Sequence, residues 1–296
     1  MHWQAIVQQI ESATGQPFQL QNAKPLAGGD MNTAYQLQAA NRRFFVKLNT
    51  PDRLPMFEAE AEGLQALAQT RTIRVPKLIV CGQTSDYAFL VLESIALNKR
   101  NSRSEQLLGQ QLAQLHRQKQ AYFGWHRDNT IGTTPQVNGR YDDWLSFWQE
   151  QRLGHQLALA ADQGYGGRLQ GLGEKLCSNL KPWFLAYRPQ PALVHGDLWG
   201  GNVAADERGN PVIYDPACYF GDRETDVAMT ELFGGFSPAF YQAYQAVYPL
   251  DPGYASRKNL YNLYHILNHL NLFGQGYLHQ AENRISQLLA EKSHAT

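Results

Sequence analysis

The sequence predicts an α+β chain of two lobes, a small one built on a five-stranded antiparallel sheet plus helices and a large, mainly helical one. Three observations carry this. Five strand-like apolar runs fall before residue 94; helix-spaced apolar residues take over from residue 104. Between them, residues 95–103 are polar and irregular, the composition of a connection. The division expected is therefore 1–94 and 95–296. With 296 residues, 43% of them hydrophobic and 18% charged, the chain can bury a large core.

Taken in order, Trp3, Ile6, Val7 and Ile10 recur at helical spacing and predict an amphipathic helix that ends near Gly15 and Pro17 and covers a sheet. Residues 18–27 and 33–39 read as strands flanking Gly28-Gly29-Asp30-Met31-Asn32, and 44–48 as a third. Residues 55–69 form a helix with the stripe Phe57, Ala61, Leu64, Leu67 and Ala68. Residues 75–80 and 87–93 are two more strands about a polar turn. A helix then runs from residue 104 through Leu107, Leu108, Leu112 and Leu115, with His116 a structural histidine. Residues 141–161, with Trp144, Phe147, Trp148 and Leu153, give another helix whose aromatic stripe belongs to the core. Residues 169–187 give a third, before Pro189 and Pro191 release the chain. Helical stretches continue through 240–241, 260–273 and 285–289.

Composition excludes several classes of function. Formal net charge is zero, so the chain lacks the basic field of a nucleic-acid binder, and no nucleic-acid partner is expected. Cys81, Cys177 and Cys218 are scattered and form no C-x-x-C pair, which argues against a disulfide framework or a zinc knuckle. A reducing cytoplasm is the expected location. The first residues lack the basic and apolar regions of a signal peptide, and no run approaches about 18 apolar residues, so no membrane partner is expected.

The chemistry concentrates in Leu193-Val194-His195-Gly196-Asp197-Leu198-Trp199-Gly200-Gly201-Asn202 and, after a short hairpin-like insert, Val212-Ile213-Tyr214-Asp215-Pro216. Strand-like runs 192–194 and 212–214 end just before His195 and Asp215, so both acidic groups stand at strand ends, on a rigid scaffold. Singly, an Asp or Asn in a glycine-rich turn commonly bonds its own backbone. Together, Asp197 and Asn202 have the five-residue spacing of a phosphoryl-transfer loop that sets a base beside a metal ligand, and Asp215 takes the place of the second metal ligand. Lys47 closes the apolar strand Phe45-Val46-Lys47, where a lysine reaches nucleotide phosphates. A buried lysine needs a carboxylate, and Glu60 lies on the buried side of the following helix while Glu58 and Glu62 fall toward its flank. Gly28 and Gly29 supply either a hairpin turn or a phosphate cradle.

His195 to Asn202, followed by Asp215-Pro216-Ala217-Cys218-Tyr219-Phe220-Gly221-Asp222-Arg223-Glu224-Thr225-Asp226, resembles the fructosamine kinase (ketosamine-3-kinase) family, a branch of the aminoglycoside and choline kinase-like, protein-kinase-like fold. The resemblance spans nearly the whole chain. It implies ATP and Mg2+ as cofactors, Asp197 as the catalytic base, and Asn202 and Asp215 as metal ligands. It further implies Lys47, Glu60, Gly28 and Gly29 at the phosphates, the backbone of Glu93 to Ile95 at the adenine edge, and Trp199 and His269 at the acceptor. Trp199 packing its own loop and His269 as a satisfied core residue stay open beside those roles. His195 and Asp226 support the loop. The acceptor implied is a sugar hydroxyl, O3, of a ketosamine such as fructosamine or ribulosamine, free or on a glycated lysine, and the enzyme is expected to be a monomer. No A-P-E sequence follows Asp215, which also points to a small acceptor. The alternatives are an aminoglycoside- or choline-type kinase, a nucleotide-binding pseudokinase and a metal-dependent phosphate-ester hydrolase. Some relatives carry a cysteine in the glycine-rich loop; with Asp30 and Met31 there, redox switching is not expected.

Overall fold

Helix α1 (Gln4–Thr14) turns Ile6 and Ile10 onto one face of a five-stranded antiparallel sheet, as its spacing requires. The sheet, in the order β1-β2-β3-β5-β4, is built from β1 (Asn22–Leu26), β2 (Thr33–Gln38), β3 (Arg43–Asn49), β4 (Leu78–Gln83) and β5 (Ala88–Glu93). The computed structural model describes residues 3–26 and 31–293; the two loop glycines singled out above, Gly28 and Gly29, lie outside them. Residues 18–21 and 75–77 precede β1 and β4 and are not strand. Phe18 nevertheless joins Phe44, Val46, Phe89 and Val91 in the core beneath α1.

The opposite face of the sheet takes α2 (Leu54–Gln69), whose first turn carries Pro55, a residue suited to that place because its missing N–H would be unpaired there anyway. Phe57, Ala61, Leu64 and Leu67 are buried as the stripe predicts, whereas Ala68, at its C-terminal end, is exposed. On this face Leu90 and Leu92 join a core that continues without a break into the large lobe. There α2 is seated directly on the large lobe: the Cys218 thiol lies 3.7 Å from the Gly63 carbonyl and Gln118 Nε2 donates to the Thr70 carbonyl at 3.2 Å.

From β5 the chain passes through residues 94–101 to α3 (Ser102–His116), whose start is closed by a reciprocal pair of bonds between Asn101 and Ser104. Four short strands follow that the sequence reading missed: β6 (Phe123–Trp125), β7 (Asn129–Ile131), β8 (Thr134–Gln136) and β9 (Gly139–Tyr141). Three residues are too few to show alternation, and β6 and β9 join a sheet completed only by β10 (Pro191–Val194) and β13 (Tyr219–Asp222), in the order β10-β13-β6-β9. Tyr141 is therefore strand, and the helix expected from it starts at Trp144. It runs as α4 (Trp144–Phe147), a π-helical stretch Trp148–Gly154 and α5 (His155–Asp162). The wide turn lets buried Arg152 reach the Val137 carbonyl and the Asn138 side chain at 2.7 and 2.8 Å.

The next helix, α6 (Arg168–Cys177), is shorter than expected; a 3-10 turn Lys181–Trp183 containing Pro182 replaces its second half. After β10, the hairpin β11 (Val203–Ala205) and β12 (Pro211–Ile213) returns the chain to Asp215. Helices α7 (Glu224–Leu232), α8 (Pro238–Val247), α9 (Tyr254–Phe273) and α10 (Leu278–Ser293) complete the large lobe. Among the described residues no helix is long and apolar enough to cross a membrane.

Candidate active site

The loop after β10 hangs from one buried carboxylate. Asp226, in the first turn of α7, accepts the backbone N–H of His195 at 2.7 Å and of Gly196 at 2.9 Å. His116 Nε2 lies 3.2 Å from the same carboxylate and its Nδ1 2.9 Å from the Tyr244 hydroxyl, so His116 is structural. Burial works to raise the Asp226 pKa, but the His116 side chain and the hydrogen bond from the His195 backbone outweigh it and hold the carboxyl below its ordinary value. His195 is kept neutral by burial. Its tautomer follows from its partners: Nε2–H donates to the Tyr214 carbonyl at 3.0 Å, leaving Nδ1 to accept from the Asp197 N–H at 3.3 Å. Gly196 has φ 82°, and a Cβ there would stand 2.1 Å from the Ala217 carbonyl oxygen. Only glycine lets the two acidic segments approach this closely.

Asn202 holds Asp197 in place. Its Nδ2 donates to the Asp197 carbonyl at 2.9 Å and to Oδ2 at 3.1 Å, which leaves its Oδ1 as the oxygen turned away from Asp197. Burial, opposed by the Asn202 bond and reinforced by the charges of Asp215 and Asp226, pushes the Asp197 carboxyl up to about 7. Asp215 itself has φ 56°, a left-handed backbone that is strained for a residue with a Cβ and that clusters at functional sites.

Lys47 joins the two lobes. Its Nζ lies 2.7 Å from Glu60 Oε1 on α2 and 2.6 Å from Asp215 Oδ1. Burial alone would lower the lysine pKa, but the two carboxylates reverse this and keep it charged. The Asp215 side chain stays 46% exposed, open to a ligand on its other side. The sequence pointed to the Glu60 contact; the Asp215 contact, across 168 positions, had no local signal.

The expected adenine edge lies at the end of β5 and just past it. Glu93 is engaged: its N–H donates to the Lys77 carbonyl at 2.8 Å and its carboxylate takes Arg74 Nη2 at 2.5 Å. A strand-terminal backbone pairs with its neighbours before any ligand arrives. Ile95 lies just beyond the sheet and is half-buried.

Trp199 and His269 come together through a residue that sequence reasoning missed. The Trp199 ring, 40% exposed, folds back over Gly201, where a Cβ would meet it at 2.3 Å. It stands edge-on to Phe233, 6.4 Å between centroids, and Phe233 lies 4.9 Å from His269. His269 Nδ1–H donates to the His265 carbonyl at 2.7 Å, and burial keeps the ring neutral. Phe233 precedes Gly234-Gly235, a turn signal at the end of α7, but nothing local aims it at Trp199.

The oxygen donors suit magnesium rather than zinc. Among the described residues no three His, Cys, Asp or Glu side chains converge on a metal site, whereas Mg2+ needs one or two protein oxygens and takes the rest from phosphate and water. A partly exposed Asp215 carboxylate and a free Asn202 Oδ1 are such oxygens.

A five-stranded lobe whose lysine is paired to a helix glutamate, above a loop presenting Asp, Asn and Asp, defines an ATP-dependent phosphotransferase of the protein-kinase-like class. Comparison with known proteins makes this specific. Residues 2–291 match the fructosamine kinase family, and the chain belongs to it. A probable ketoamine kinase of Synechocystis sp. is 50% identical over 97% of both chains. The chloroplastic protein-ribulosamine 3-kinase of Arabidopsis thaliana is 42% identical over 93% of this chain and 85% of its own. The crystal structure of a provisionally assigned fructosamine-3-kinase from Haemophilus somnus superposes with a TM-score of 0.89 at 31% identity, covering 97% of each chain.

Proposed function

We propose that this chain transfers the γ-phosphate of ATP to a ring or chain hydroxyl, O3, of a ketosamine. The observation that carries the reading is the Lys47 bridge between Glu60 and Asp215, which sets nucleotide-holding and metal-holding groups in one cluster beside Asp197. Family membership and the named activity of the ribulosamine kinase relative support the acceptor class.

In this reading residues 1–94 and 95–296 act as the two lobes. Lys47 and the Gly28–Gly29 loop hold the phosphates, Ile95 with Glu93 borders the adenine, and Asn202 and Asp215 are the ligands for Mg2+, which supplies charge neutralisation at the phosphates when bound. Asp197 receives the acceptor proton as the new O–P bond forms and ADP leaves. Asn202 holds Oδ2, so Oδ1 is the oxygen left to face the hydroxyl. Trp199 offers an aromatic face to the sugar carbons and the protonated amine, a favourable cation–π setting, and His269, being neutral, does not repel that amine.

The test compares phosphorylation of fructosamines and ribulosamines with that of aminoglycosides and choline, with NMR of the product to locate the phosphate. Asp197→Asn is expected to lower ketosamine kcat by about 10³-fold or more, and Trp199→Ala to reduce ketosamine turnover far more than background ATP hydrolysis. Preference for choline or an aminoglycoside would overturn the acceptor, and wild-type turnover in Asp197→Asn would overturn the mechanism.

A further inference from the structure

Five large hydrophobic side chains are exposed among the described residues, Leu97, Leu185, Trp199, Phe233 and Phe273, and three of them form one strip. His269 is its hub, with ring centroids 4.9 Å from Phe233, 5.4 Å from Phe273 and 5.1 Å from Tyr277. Phe273 follows His269 by one helical turn, so α9 presents both on the same side. The helix ends at Gly274 and the next short turn brings Tyr277 back against both rings. The strip begins at Trp199, two residues from Asp197, and leads away from it along the end of α9.

Phe233 is 45% and Phe273 53% exposed. Contiguous exposed rings of this kind mark a binding surface more often than an accident of packing. What covers them follows from the chemistry of the acceptor, on the reading proposed above. A ketosamine carries its hydroxyls at one end, then a secondary amine, then the substituent on that amine. With a hydroxyl at Asp197 and the amine beside Trp199, the substituent lies where the strip continues, on Phe233 and Phe273. The strip offers it rings and no charge: His269 is hydrogen-bonded to a backbone carbonyl, and none of the ion pairs of the described residues involves a member of the strip.

We propose that Trp199, Phe233, His269 and Phe273 form a subsite for the amine substituent, and that it selects ketosamines built on aromatic or long aliphatic amines over those built on small polar ones. The contact is the same in the ground and transition states, so it acts on KM more than on kcat.

The experiment measures kcat/KM for N-benzyl- and N-methyl-fructosamine with the wild type, Phe233→Ala, Phe273→Ala and, as an exposed residue elsewhere, Leu185→Ala. The wild type is expected to favour the benzyl compound by about tenfold, through KM, the scale of one partly buried ring contact. Phe273→Ala and Phe233→Ala should each bring that ratio to about twofold or less, with unchanged melting temperatures, and Leu185→Ala should keep it. No benzyl preference in the wild type, or an undiminished ratio in both strip variants, overturns the proposal. Self-association in sedimentation that Phe273→Ala abolishes, with the ratio intact, would assign the strip to a contact between copies and overturn it too. Failure to phosphorylate either ketosamine would instead overturn the acceptor class itself.

Discussion

Lys47 shows how one buried charge organises the site. It is 6% exposed and satisfied by two carboxylates from opposite lobes. Leaving either partner buried without the other is costly, so the contributions of Lys47 and Glu60 to turnover are not independent. We expect Lys47→Ala and Glu60→Ala each to lower kcat/KM by about 10²-fold or more, and the double variant to be little worse than the weaker single. Steady-state kinetics of the three variants checks this; additive losses would show that the pair does not act as a unit. At this scale much was legible, because a lysine closing an apolar strand demands a carboxylate and α2 offers Glu60 on its inward side. The second partner was not, since Asp215 reaches Lys47 only through the packing of both lobes.

The β11–β12 hairpin is the element that ties the small lobe to the Asp215 segment. Arg74, just before β4, bridges Glu93 at the end of β5 and Asp206 in the hairpin, at 2.5 and 2.6 Å, while its carbonyl accepts the Ile213 N–H at 3.0 Å. Asn98 pairs with Ala205 on the other strand. Hydrogen bonds from the Asn210 and Arg208 backbones and from Arg74 outweigh burial and hold Asp206 down to about 2. Its folded pKa lies below the unfolded value, so the stability it contributes is present above about pH 4 and is lost as the pH falls toward 2. Asp206→Asn is therefore expected to destabilise the protein at neutral pH and to flatten the acid limb of its stability curve between about pH 4 and 2, read from urea midpoints at each pH. An acid limb as steep as that of the wild type would show that other carboxylates control it.

Across the whole molecule the core is one body on the α2 side. Phe57, Leu64, Leu90 and Leu92 belong to the same cluster as Trp144, Leu193 and Leu267, whereas the patch beneath α1 is separate and small. Two lobes sharing such a core unfold together. Scanning calorimetry is expected to show a single transition with matching van't Hoff and calorimetric enthalpies, shifted upward by ATP with Mg2+ through mass action. Two resolved transitions would mean that the lobes are energetically separate despite their shared core.

By itself the sequence determined the strands and helices of the small lobe, the two acidic segments at strand ends, the Lys47–Glu60 pairing and the family, because each is carried by local periodicity or by residues at short fixed spacing. Tertiary structure alone decided the short strands β6 to β9 of the large lobe, the π-helical turn that buries Arg152, the joining of Lys47 to Asp215 and the meeting of Trp199, Phe233 and His269. Each of these depends on partners far apart in the chain, whose approach is set by how helices and sheets bury their apolar faces and not by any pattern along the backbone.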